Sequence, residues 1–295
     1  MPRPAYPGLR RNPTIPGMTS QAIITAGSAG IGFETARGLL RSGYAVTIIA
    51  RDEARGASAV RTLRDEIAGA EVRFLAADLS SLGTVRDLGA RLAQEGPLHL
   101  LVNNAGGMFA HRWETADGLE ASFVLNHLTP YLLTSALTGV LAAGAPSRVV
   151  QVTSSAMMAA VPDFADVEVP GEHYGLAVTG RAKLANLSWA LDVADDLHER
   201  GITLVVADPG PAATPNAAAM EIRMLPPAMR SMWDVIQQGV QRPAAEAARP
   251  ILHAATAPDL SPGTLVDAEQ LRQHVTPEVT KAVRDLTERL LGPHA

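Results

Sequence analysis

From residue 21 onward, short runs of β-branched and apolar residues alternate with longer segments whose apolar positions recur at helical spacing. The short runs, at 21–25, 45–50, 72–76, 98–102, 148–153, 203–207 and 263–266, predict strands. The longer segments, at 31–42, 53–68, 82–94, 118–143, 180–200 and 244–255, predict helices. Strands that alternate with helices of this length form right-handed βαβ units and a parallel sheet covered on both faces. The fold class predicted is therefore α/β: a single-domain, Rossmann-like, doubly wound sheet of about seven strands. Even spacing leaves no room for a second core, so one domain is read over residues 19–295. Residues 1–18 carry Pro2, Pro4, Pro7, Pro13 and Pro16 with no apolar period, and read as a flexible arm, or one ordered over a site or a neighbouring subunit. Residues 215–240 break the rhythm with Pro226, Pro227 and the methionines 220, 224, 229 and 232. A Met-rich insertion after the sixth strand reads as a lid over a bulky apolar ligand, with ordinary core as the alternative.

Composition narrows the classes. With 47% hydrophobic and 19% charged residues the chain can bury a large core. A net charge of −5 argues against a nucleic-acid partner or an anionic membrane surface. No apolar stretch reaches about 18 residues, so no membrane span is expected. The absence of cysteine excludes disulfides, thiolate metal sites and a cysteine nucleophile. The Pro-rich start lacks the apolar stretch of a secretory signal, which leaves a cytoplasmic location as the expectation. Arginine outnumbers lysine 23 to 2, the bias of GC-rich coding and of a bacterial, actinomycete-like source. The eight histidines are scattered without metal-ligand spacing, and no nucleophile elbow supports a hydrolase.

The first strand runs into Ala26-Gly27-Ser28-Ala29-Gly30-Ile31-Gly32 and then a helix. Glycines let a backbone approach a pyrophosphate, and a helix N-terminus favours its charge. A glycine cluster alone is only a turn; at the first strand–helix junction it suits a dinucleotide. The second strand ends in Ala50-Arg51. An acidic residue there accepts from the ribose of NAD, whereas Arg51 suits the 2′-phosphate of NADP, with Asp52 beside it to blunt the charge.

Further motifs follow in order: Asp78-Leu79, Asn103-Asn104-Ala105-Gly106, Asn126-His127-Leu128, Thr153-Ser154-Ser155, Lys183-Leu184-Ala185-Asn186, and Pro209-Gly210 with Thr214. Each has an ordinary reading by itself, Asn103 as a turn former, Ser154 as a cap, Lys183 as surface charge. As a set they resemble the short-chain dehydrogenase/reductase superfamily over residues 20–270, and Asp117-Gly118-Leu119-Glu120 most resembles its retinol-dehydrogenase-like branch. That resemblance implies NADP(H) as cofactor. It places Asp78 and Leu79 at the adenine, and Asn104, Ala105 and Gly106 along the cofactor. Pro209, Gly210 and Thr214 fall at the carboxamide, and Lys183 at the nicotinamide ribose. It further implies Ser154, with Ser155 as the one-residue alternative, at the substrate carbonyl, and Asn126 as a helix interruption holding water near Lys183. It places a subunit interface on helices 118–143 and 180–200, leaving a homo-oligomer open.

Two departures matter. The first glycine of the loop is Ala26, and Gly27 is expected to supply the flexibility one residue later. More seriously, the family's acid–base tyrosine lies four residues before its lysine, and here that residue is Thr179. A phenol next to an ammonium has a lowered pKa; a threonine alcohol is too weak an acid for the role. Four accounts stay open. The substrate carries its own phenol beside the ketone and donates the proton. Tyr174 substitutes from the loop upstream, or serves as pocket wall. Ser154, or water at Asn126, relays the proton; His173 is also a candidate acid. Or the chain binds NADP without redox turnover, as a pseudoenzyme or sensor, or uses the pocket as a lyase or cyclase. The first account favours a small-molecule, polycyclic aromatic, polyketide-like substrate, with Met157, Met158, Met220 and Met224 against its faces and Thr179 beside the space the tyrosine leaves. This resembles in type the actinomycete ketoreductases of angucyclinone (simocyclinone-type) antibiotic biosynthesis.

Overall fold

The computed structural model describes residues 19–168 and 171–292; the arm read over residues 1–18 lies outside them. Strands β1 (Gln21–Thr25), β2 (Ala45–Ala50), β3 (Val72–Ala76), β4 (Leu100–Asn103), β5 (Ser147–Val152), β6 (Ile202–Ala207) and β7 (Thr264–Val266) form one sheet in the order β3-β2-β1-β4-β5-β6-β7. Every pairing is parallel. The winding direction reverses between β1 and β4, which opens a crevice at the carboxyl ends of those strands.

Alternation along the strands builds two cores. Ile23, Ile49, Leu101 and Leu204 pack with helices α3 (Leu82–Leu92), α5 (Thr129–Ala143) and α6 (Gly175–Asp192). Ile24, Ile48, Leu100 and Val205 pack with α1 (Gly30–Arg41), α2 (Glu53–Glu66) and α10 (Ala244–Thr256). Because both faces are covered, β2 is buried at every position and shows no polar alternation.

The structure departs from the sequence pattern in four places. Strand β4 begins at Leu100, because Leu98 N–H is taken by the Val140 carbonyl of α5 at 2.9 Å. The helix expected over 118–143 is three pieces: α4 (Ala121–Phe123), a π-helical turn Val124–Leu128, and α5. The π turn carries Asn126, so the extra residue per turn coincides with a site residue. The helix expected over 180–200 starts at Gly175 and breaks at Val193, where α7 (Ala194–Glu199) begins. Finally, α11 (Pro277–Leu291) follows β7 where no helix was expected. Thr276 caps it, and Val283 and Leu286 enter the core at 2% and 1% exposure. It packs across α6: Ser188 Oγ donates to Thr280 Oγ1 at 3.0 Å, and Arg284 pairs with Asp192 at 2.7 Å.

Residues 215–240 form α8 (Pro215–Ala218), 3-10 turns at Ile222–Met224 and Pro227–Met232, and α9 (Trp233–Gly239). The excursion closes on itself, since Ala213 N–H donates to the Arg242 carbonyl at 2.8 Å. Met224 and Leu225 are buried while Ile222, Met232 and Val235 are exposed, so the segment combines a packed root with an apolar outer surface.

Candidate active site

A cleft of about 460 Å³ opens at the carboxyl ends of β1, β2 and β4. Ser28, Gly30, Ile31, Gly32, Arg51, Asp78, Leu79, Asn104, Ala105, Gly106 and Thr214 line it, all singled out by the sequence. Sequence reasoning missed Arg55, Phe109 and Trp113, which line it too. Arg55, in the first turn of α2, follows Arg51 at the end of β2 by four residues, so the cleft wall carries two guanidinium groups where a phosphate is expected. Phe109 and Trp113 meet edge to face with centroids 5.1 Å apart.

The glycine loop is strained where the glycine is missing. Ala26 itself takes a left-handed φ of 53°, a conformation that costs a non-glycine residue about 1 kcal/mol. Gly27 does not supply that turn, contrary to the sequence expectation; it is buried against Ile24 and Ile48. Gly32 is required by close approach: a Cβ there would stand 2.3 Å from the Ala26 carbonyl oxygen and 2.6 Å from Asn104 Nδ2. The β4 end is held by a residue the sequence gave no reason to single out. Thr25 Oγ1 accepts from Asn104 N–H at 2.9 Å and from Ala105 N–H at 2.8 Å. Asp78 stays at the wall with one carboxylate oxygen accepting from Ser80 N–H and Oγ.

Behind this cleft lies a polar cluster. The Gly107 carbonyl accepts from Asn126 Nδ2 at 2.9 Å, Ser122 Oγ at 3.2 Å and Thr179 Oγ1 at 3.3 Å. Ser122 and Thr179 hydroxyls are also 3.1 Å apart. Thr179 is therefore engaged inside the protein, anchoring the loop that carries Phe109, and is not on the cleft wall. Asn126 Oδ1 is buried with no partner among the described residues; it points toward Gly106, where a Cβ would lie 2.5 Å from it and 3.4 Å from Lys183 Nζ. An orphaned acceptor, a bare glycine and an ammonium thus converge at one point, an arrangement that fits a polyhydroxylated cofactor ribose.

Lys183 is buried, and its Nζ donates to the Val152 carbonyl at 2.7 Å. Burial pulls its pKa down to about 8, against the opposing attraction of Asp208. Ser154 caps the 3-10 turn Ser155–Ala159, its Oγ accepting from Ala156 N–H at 3.1 Å. Ser155 N–H donates to Asp208. Pro209 and Gly210 form the next turn, the first held by Arg242 through its carbonyl and the second by Asp208 through its N–H.

The remaining substrate-side residues divide. Met158 is exposed, Met220 and Tyr174 are half-buried, and Met157 and Met224 lie in the core, with the Met224 methyl packed at Gly175. Tyr174 OH donates to Glu172 at 2.5 Å, and that bond raises its pKa; it holds its proton rather than releasing it near neutrality. His173 Nε2 is bound to the Phe109 carbonyl at 3.1 Å.

A parallel sheet with a glycine-bearing turn after its first strand, an Asn-Asn-Ala-Gly turn and a buried lysine behind the cleft is the arrangement of a dinucleotide-dependent oxidoreductase class. The chain belongs to the short chain dehydrogenase family, whose family model matches residues 20–224. It is 34% identical over 252 residues to retinol dehydrogenase 12 of Mus musculus, covering 85% of this chain and 77% of that protein. It is 39% identical over 208 residues to the polyprenol dehydrogenase of Mus musculus, covering 68% of this chain and 62% of that protein. Among solved structures it resembles the Pseudomonas aeruginosa RhlG/NADP active-site complex, with 29% identity, a TM-score of 0.64, and coverage of 84% of this chain and 93% of that one. A putative uncharacterized protein from Mycobacterium paratuberculosis shares the fold at a TM-score of 0.70, with 24% identity over 93% of this chain and 95% of that one. Among the described residues no helix is long and apolar enough to cross a membrane.

Proposed function

We propose that the chain is an NADPH-dependent reductase of ketones on bulky, aromatic, polyketide-like substrates, and that the substrate supplies the proton. The observation carrying this reading is the state of position 179. The residue in the tyrosine's place is an alcohol whose oxygen is tied to Gly107 and Ser122, while Lys183 is retained beside it. The upstream phenol, Tyr174, is bound to Glu172 and made less acidic.

Lys183 and the orphaned Asn126 Oδ1 would hold the ribose, and Gly30, Gly32, Arg51 and Arg55 the phosphates. NADPH, when bound, supplies a hydride to the carbonyl carbon. A phenol ortho to that carbonyl gives its proton to the carbonyl oxygen, and the phenolate takes a proton from water afterwards. The Lys183 ammonium favours the phenolate by charge, as it would a tyrosinate. Ser154 Oγ, which accepts from Ala156 N–H, keeps its own proton to donate to the carbonyl oxygen. Phe109 and Trp113 offer flat apolar surface at the cleft, in a chain where aromatics make only 4% of residues. The relatives' names, retinol and polyprenol dehydrogenase, share with this reading a bulky apolar substrate. The reading puts the protein in the cytoplasmic NADPH pool, and a homo-oligomer through α5 and α6 would have to accommodate α11.

The test is NADPH oxidation against paired polycyclic aromatic ketones, with and without a phenol adjacent to the carbonyl. Turnover of the phenolic member alone is the expected result. Equal turnover of both removes the substrate as proton source. Tight NADPH binding with no turnover of either favours a binding protein or a non-redox use of the pocket.

A further inference from the structure

Two segments that border the cleft also meet outside it, at one residue. The first is the loop 107–113, whose Phe109 and Trp113 line the cleft. The second is the excursion after β6. Its Thr214, Pro215 and Asn216 line the same cleft, and Thr214 lies against Gly30 of the phosphate loop. Further along the excursion, Met224 turns back to the start of α6. There Gly175 is buried and takes no part in the cleft lining. A Cβ on Gly175 would stand 2.3 Å from the Phe109 carbonyl oxygen and 3.2 Å from the Met224 methyl. Gly175 is the first residue of α6 and its φ is not left-handed, so backbone freedom does not call for glycine there. Alanine is the better helix former. What glycine supplies at 175 is room for both segments.

Each segment is held against that point by its own bonds. In the loop, the Gly107 carbonyl is bound by Thr179, Ser122 and Asn126, and the Phe109 carbonyl by His173 Nε2 at 3.1 Å. The Trp113 carbonyl accepts from Ala121 N–H at 2.9 Å. In the excursion, Met224 and Leu225 are 3% and 0% exposed, and Glu221 N–H donates to Met224 Sδ at 3.3 Å. The contact at Phe109 is with backbone, so no rotamer change relieves it. Reaching an ordinary C···O separation of about 3.3 Å would take a shift of about 1 Å. Phe109 borders the cleft and Gly175 does not, so a side chain at 175 would push the aromatic wall into the cleft. The same side chain would lift the root of the excursion off α6.

We propose that Gly175 is a specificity-determining residue: by carrying no side chain it lets the Phe109 wall stand back from the cleft and the Met224 root close onto α6, so that the cleft takes a wide, flat ligand under a seated cover. The junction stands by itself; the ligand it selects rests on the reading above of a bulky aromatic ketone as substrate.

Arg223 and Arg230 are exposed on the excursion. Tryptic cleavage after them in the full-length protein, mapped by mass spectrometry, reads the seating without any ligand. Gly175→Ala should speed cleavage at these two sites about tenfold relative to sites elsewhere. Met224→Ala removes the methyl from the junction without crowding Phe109; it should speed the same cleavage, and serves if Gly175→Ala does not fold. Selectivity is read from the affinities of a monocyclic and a tetracyclic ortho-hydroxyaryl ketone, measured by tryptophan quenching with NADP bound, which needs no turnover. Both variants should cut the preference for the tetracyclic ketone about tenfold, the first by narrowing the cleft and the second by loosening its cover. Unchanged cleavage at Arg223 and Arg230 in the folded variants overturns the junction. Faster cleavage with an unchanged preference refutes the role in specificity. A parent protein that binds neither ketone refutes the ligand class, whereas one that binds them and does not oxidise NADPH refutes the reductase reading and leaves the junction and its selectivity standing.

Discussion

Replacing His127 with leucine should make the protein less stable at neutral pH and more stable in acid. His127 lies in the π turn, fully buried, with Nε2 2.7 Å from Thr287 Oγ1 of α11 and Nδ1 without a partner among the described residues. Thr287 spends its own proton on the Val283 carbonyl, so the histidine is the donor in that pair and stays neutral. Burial, aided by the charge of Arg181, drives its pKa down to about 3. In the unfolded chain the group titrates near about 6.5, so the unfolded state binds the extra proton below that pH. Native stability is fully present above the unfolded value and falls as pH drops toward the folded one. Linkage gives a loss of about 1.4 kcal/mol at about pH 5.5 and about 2.7 kcal/mol at about pH 4.5. His127→Leu forfeits one hydrogen bond, about 1 kcal/mol, at every pH, but carries no such penalty. The stability curves of variant and parent should therefore cross near about pH 6. Urea unfolding across that range measures it, since the other titrating groups are common to both proteins. A constant difference between variant and parent would falsify the buried neutral histidine.

Arg51→Glu should weaken NADPH about tenfold or more and leave NADH within a few-fold, because the change removes a charge-assisted bond available only with the 2′-phosphate; fluorescence titration of both nucleotides checks this, and equal weakening sinks the assignment. Arg181 is buried between Phe123 and Phe164 and donates to the carbonyls of Asp163, Asp166 and Val167. Arg181→Met should cost about 3 kcal/mol or more, as those carbonyls lose their donors. An unchanged urea midpoint contradicts that account.

The sheet was legible in the sequence because parallel strands buried on both faces read as apolar runs with turn residues between them. Three strands match the expected limits residue for residue, and the glycine loop and the Asn-Asn-Ala-Gly turn fall at the cleft as their motifs imply. What escaped was set by tertiary contact. Val279, Val283, Leu286 and Leu290 recur at helical spacing, but the intervening charges make the segment look like a solvated tail until α6 is there to receive it. Asp208 reads as an ordinary turn former before Pro-Gly; only the register of β5 and β6 brings it to the Ser155 N–H. Thr25 looks like any strand residue, yet its hydroxyl fixes the next strand's turn. The methionines of 215–240 were grouped by composition, and the structure separates Met224 in the core from Met232 on the surface.

The excursion between β6 and α10 leaves and rejoins the domain at nearly one point, where Ala213 meets Arg242. No strand of the sheet passes through it, and the phosphate-side residues lie mainly on the other strand ends. Thr214, Pro215 and Asn216 belong to the cleft, and the segment from 217 to 241 beyond them is a module that enters and leaves at one seam and is rooted by Met224 against Gly175. It can be exchanged whole, by recombination or in the laboratory, without disturbing sheet register. On the proposed reading, in which this segment covers the substrate, a chimaera that swaps 217–241 alone and keeps Thr214, Pro215 and Asn216 of the cleft should inherit the cofactor of one parent and the substrate range of the other.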